Sequence, residues 1–97
     1  MVIRIIDFTP RPSTYEDGEM IYAKISEAIE KDESVEVSFE GVLSVPSAFI
    51  NSAFIRLLET YSFEKIRSKL KIVDSTKFIN DLIKSRFDFA SKAQKSQ

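Results

Sequence analysis

The chain has 97 residues, 43% of them hydrophobic and 30% charged, with a formal net charge of −1, which suits one globular domain and is too apolar for disorder. It contains no Cys and no His, which excludes thiol nucleophiles, disulfides, Cys- or His-ligated metals and an imidazole base. Gly18 and Gly41, the two glycines, stand too far apart for a phosphate-cradling loop, and the charge balance lacks the basic excess with which nucleic-acid binders neutralise phosphate.

The run Val2, Ile3, Ile5, Ile6 and Phe8 around Arg4 and Asp7 predicts a first strand over residues 2–8. Residues 9–18 hold Pro10, Pro12 and the pair Asp17-Gly18, so a loop is expected there. Ile21, Ile25, Ala28 and Ile29 recur at helical spacing, predicting a helix over residues 19–31. Val35, Val37 and Phe39 then alternate with polar residues, predicting a strand with these three on one face. Glu40-Gly41 ends it.

A broad apolar stripe from Phe49 to Tyr61 predicts a deeply buried helix over residues 47–61. A short helix over residues 62–70 leads to a strand at residues 71–73. Asp74 or Ser75 is the expected cap of a last helix that turns Phe78, Ile79, Leu82, Ile83 and Phe87 inward. The domain spans residues 1–90, and the polar residues 91–97 are expected to be a flexible tail. The order β-α-β-α-β-α predicts a small α/β fold with a largely parallel, mixed sheet of three to four strands. Helices are expected on one face, or in unequal shares on two. With neither a signal peptide nor a membrane-length apolar segment in the sequence, a cytoplasmic setting and no membrane partner are expected.

The segment most suggestive of function is residues 44–52, where a tight Gly turn and a Pro-Ser helix start follow a strand. Hydroxyls and free helix amides gather at such an edge, where open α/β sheets bind ligands. The partner-binding residues expected are Ser44, Pro46, Ser47, Phe49, Asn51 and Ser52. Cap preferences favour the plainer role for Ser44 or Ser47, capping the helix with Pro46 in its first turn. Glu16, Asp17 and Glu19 near residue 18 suit a solvated helix start better than a cation site. Asp7, Glu40 and Asp74 lie near strand ends, but their spacing forces no acid–base pair. Lys65, Arg67, Lys69 and Lys71 read as a solubilising surface. No catalytic residue, metal site, cofactor or nucleic-acid partner is expected.

The strand and turn Val35-Glu-Val-Ser-Phe-Glu-Gly-Val42, the helix opening Ser47-Ala-Phe49, the pair Ala53-Phe54 and the strand Leu70-Lys-Ile-Val73 resemble the STAS-like family of unknown function. The loop before Glu19 is similar to the family's Arg- and Ser/Gly-containing loop, so the resemblance covers residues 2–88. It implies relationship to anti-sigma factor antagonists, in which a serine at the start of the helix after the second core strand is phosphorylated. The kinase there is a partner of histidine-kinase-like ATPase fold, and phosphorylation switches the association off. The antagonists' Asp-Ser-Ser-Gly pattern is replaced here by Pro46-Ser47-Ala48-Phe49, leaving Ser47 as the neighbouring candidate phospho-acceptor. The resemblance also implies companionship with such ATPases in bacterial and mobile-element genomes.

The expected role is a non-catalytic, regulatory protein-interaction module. Alternatives are a self-associating module that forms a homodimer through a sheet edge, or a mobile-element or phage protein that binds and inhibits host machinery. A small-ligand site or enzyme would need the strand-end carboxylates to share a concave pocket with free helix amides.

Overall fold

A computed structural model describes residues 1–95. β1 (Val2–Arg4) runs directly into α1 (Ile5–Phe8), a single turn. The expected strand over residues 2–8 is thus cut short. Continuing it would turn Ile6 away from the core, whereas the helical turn half-buries Ile6 over Gly41 and leaves Ile5 fully buried.

α2 (Tyr15–Glu30) leads to β2 (Val35–Ser38). α3 (Ser47–Ala53), a 3-10 turn (Ile55–Glu59) and α4 (Phe63–Lys69) lead to β3 (Leu70–Val73), and α5 (Lys77–Lys95) follows. The strands pair in parallel in the order β1-β2-β3, with Ile3 beside Val37 and Val37 beside Ile72. The expected three to four largely parallel strands resolve to three, all parallel; no further strand joins among the described residues.

Ile3, Val35, Val37 and Phe39 are each at most 1% exposed, and they join Ile21, Ile25, Phe49, Phe54 and Ile79 in one core. On the other face Val2, Arg4 and Lys71 are exposed and Glu36 is half-buried. Parallel sheets are normally covered on both faces, so this open face is unusual for its class.

α2 starts at Tyr15, ahead of the expected residue 19, because a capping box holds it. The Thr14 hydroxyl accepts from Asp17 N–H at 3.1 Å, while the Asp17 carboxylate accepts from Thr14 and Ser13 N–H at 3.1 Å each. These bonds, that from Ser13 first, hold the Asp17 carboxyl below its ordinary value against a smaller opposing effect of burial. Gly18 therefore lies inside a helix rather than at a turn. A Cβ there would overlap Ser52 Oγ and stand 2.7 Å from the Phe49 carbonyl oxygen. Glycine at this position lets α2 and α3 approach closely.

The helix expected over residues 47–61 breaks at Phe54 (φ −121°, ψ −50°) into the 3-10 turn, and both Phe54 and Leu57 end fully buried. Phe54 tilts against Phe39 with 6.1 Å between ring centroids. Beyond the turn, the Tyr61 hydroxyl donates to Glu30 at 2.6 Å, and burial followed by that carboxylate raises its pKa.

The expected caps of α5 are displaced by one and two residues. Thr76 Oγ1 accepts from Ile79 N–H at 3.2 Å, while Asp74 takes a left-handed conformation (φ 55°) and accepts from Ser38 Oγ at 2.8 Å. Phe78 points outward at 61% exposure, contrary to its expected place in the core, because it precedes the inward pair Ile79 and Ile83 on the helix. α5 continues to Lys95, through most of the stretch expected to fray; residues 96 and 97 lie outside the described residues.

Candidate functional site

With all strands parallel, their carboxyl ends open on one side of the molecule, and the connections leaving them are neighbours there. β1 leads through α1 into residues 10–13, β2 leads through Gly41 into residues 42–46, and β3 leads into the start of α5. These three stretches enclose an open depression of about 610 Å³, lined by residues 10–13, residues 41–46 and Phe78. Pro10, Pro12 and Pro46, all of the chain's prolines, stand in its wall, which fixes φ and removes backbone donors along the rim. Gly41 adopts φ 82°, and a Cβ there would lie 3.2 Å from Ile6 Cδ1, so a larger residue would both strain the turn and press on α1.

Leu43 is 80% exposed and Phe78 61% exposed. Two large apolar side chains left in solvent at one crevice are the kind of surface that marks an interaction site. Arg11 is the charged residue of the lining.

The expected partner-binding residues divide into two groups. Ser44, Pro46 and Ser47 are exposed, and Ser44 and Pro46 line the crevice. Pro46 is itself the N-cap of α3, with no side-chain cap bond, so neither Ser44 nor Ser47 caps the helix through its hydroxyl. Phe49 and Ser52 are fully buried; both are core residues and offer no outer surface. Ser52 Oγ donates to the Phe49 carbonyl at 3.2 Å under Gly18. Asn51 is half-buried and accepts from Arg86 Nε at 3.2 Å. Arg11, Leu43 and Phe78 were absent from the sequence-based set. An arginine between two prolines and a leucine inside a Gly-to-Pro loop were the available signals for the first two.

The strand-end carboxylates do not meet in the crevice. Ser38 Oγ donates to Asp74 and accepts from Glu40 N–H at 3.2 Å, and Arg4 pairs with Glu40 at 3.3 Å, so these groups fasten the end of β2. Asp7 sits exposed on α1. Among the described residues no three acidic side chains come together in a metal-binding group. Lys69 in the basic run pairs with Asp32 at 3.1 Å.

Residues 17–80 match the family described as a STAS-like domain of unknown function (DUF4325). The chain belongs to the STAS-like family. The matched STAS-like span runs from the first turn of α2 into α5. It takes in the tight α2–α3 contact and the 41–46 wall of the crevice, and leaves out β1 and the proline-bearing 10–13 wall. Neither a curated protein nor a solved structure matches the chain. No helix among the described residues is long and apolar enough to cross a membrane.

Proposed function

We propose that this STAS-like domain is a regulatory protein-interaction module that docks a partner protein on the crevice at the carboxyl end of its sheet. The observation that carries the reading is the exposure of Leu43 and Phe78 on a proline-stiffened rim. Anchors of this kind supply most of the energy of an interface, and a rigid rim loses little entropy when it is covered. The partner is a histidine-kinase-like ATPase, as the resemblance to anti-sigma factor antagonists implies, and the setting is cytoplasmic. Ser47 is the switch. Its hydroxyl is exposed at the first position of α3 beside the rim, where a phosphate's added charge would repel an acidic partner surface and reshape the local hydrogen bonds.

Affinity capture with tagged wild type, Ser47→Glu and Leu43→Asp tests the reading, with circular dichroism confirming each fold. An ATPase retained by wild type and lost by both variants is the expected result. Retention of the same partner by both folded variants would place the contact elsewhere.

A further inference from the structure

Helix α5 has two apolar faces. The inner one buries Ile79, Ile83 and Phe87 in the core. The outer one carries Phe78 and Phe89, 61% and 70% exposed, the two most exposed aromatic side chains among the described residues. Eleven residues bring a helix back to within about 20° of its starting direction, so both rings stand on one stripe, about 16 Å apart along the axis. Half-buried Leu82 and exposed Ser85 lie between them. The spacing Phe78, Leu82, Ser85, Phe89 runs four, three, four, which is the seam of a two-stranded coiled coil.

The charges beside the seam say what covers it. Asp81 flanks the stripe on one side and Arg86, five residues later, flanks it on the other. Too far apart around the helix to meet on one chain, they occupy the two positions that face each other across a parallel helix pair. Among the described residues neither takes part in a salt bridge. Arg86 spends its Nε on Asn51 and lies 5.9 Å from the Phe89 ring, which holds the guanidinium beside the stripe. An antiparallel pair would instead set Asp81 near the partner's Asp88.

We propose that α5 pairs in parallel with α5 of a second copy of this chain. Each Phe78, Leu82 and Phe89 meets its own counterpart, and two Asp81–Arg86 pairs cross the interface. Ser85 leaves a gap in the seam, and Lys92 meets its counterpart at the far end, so the dimer is a reversible one. The interface takes Phe78 from the crevice lining, but the variants that test it, at Asp81, Arg86, Phe89 and Lys92, lie outside that lining and leave docking there testable on its own.

Sedimentation velocity of the full chain over a wide concentration series is the test. Wild type is expected to pass from monomer to dimer, and Phe89→Ser to remain monomeric with unchanged circular dichroism. Asp81→Arg and Arg86→Asp each break both symmetric ion pairs and introduce repulsion, weakening dimerisation by about fivefold to tenfold. The double variant restores the crossing pairs and is expected to return close to wild type. Because the chain has no cysteine, Lys92→Cys adds a single thiol, and oxidation should link the dimer only if the helices run parallel. A wild type that stays monomeric at the highest concentration overturns the proposal. So does a dimer insensitive to Phe89→Ser, a double variant no better than the singles, or an unlinked Lys92→Cys dimer.

Discussion

Residues 44–48 and residues 49–52 adjoin in sequence and face opposite environments. In the first stretch Ser44, Pro46, Ser47 and Ala48 are exposed around the crevice, with Val45 alone turned in. In the second, Phe49, Ile50 and Ser52 are buried against α2, where Gly18 permits the close approach. The boundary falls two residues into α3, where the helix passes from the mouth of the crevice to the layer over the sheet. A segment that reads as one functional unit is therefore an exposed rim joined to a piece of core. Substitutions on the two sides should affect different observables.

The largest stability loss belongs to Phe49→Ala, which empties a fully buried site and should cost about 3–5 kcal/mol in chemical denaturation. A loss within the ~0.5 kcal/mol typical of surface positions would move Phe49 to the rim. Gly18→Ala comes next. The added methyl meets a backbone carbonyl that has little room to yield, so overpacking of about 1–3 kcal/mol should outweigh the ~1 kcal/mol that alanine gains in helix propensity. Combining it with Ser52→Ala removes one of the two obstructing oxygens and should recover part of the loss; strict additivity would mean that the residues do not touch.

Thr14→Ala should cost about 1 kcal/mol through loss of the α2 cap. Its counterpart Asp17 adds a pH dependence. The carboxyl titrates below its ordinary 3.8 in the fold, so its contribution is present above that value and is lost as the pH falls through the folded pKa. The stability gap between wild type and Asp17→Ala should be open at neutral pH and close in acid; a gap that widens in acid would contradict the capping geometry. Smallest is Leu43→Asp, expected within ~0.5 kcal/mol of wild type in stability while abolishing partner capture.

Much of the frame was legible in the sequence. The alternation of Val35, Val37 and Phe39 marked the central strand and its buried face, and the β-α order with the STAS-like motifs indicated an α/β fold around a parallel sheet. The remainder depended on contacts between distant residues. Asp17-Gly18 has the form of a turn and acts as a helix interior, since what selects the glycine is Ser52, far along the chain; Thr14-x-x-Asp17 carried the capping-box signal that would have corrected it. Phe78 fits the helical spacing of α5 as well as its core residues do, and only the placement of the helix turns it outward. The exposed half of the crevice was partly visible through Ser44, Pro46 and Ser47. Arg11 joins it by way of a connection that begins on another strand.

A photo-crosslinking side chain placed singly at position 43 or at position 2, followed by capture of the partner, compares the crevice directly with the open face of the sheet. Both sites are exposed, so both variants should fold. Docking at the crevice predicts a crosslink to the partner from position 43 and none from position 2. A crosslink from position 2 alone would contradict it and assign docking to the uncovered sheet.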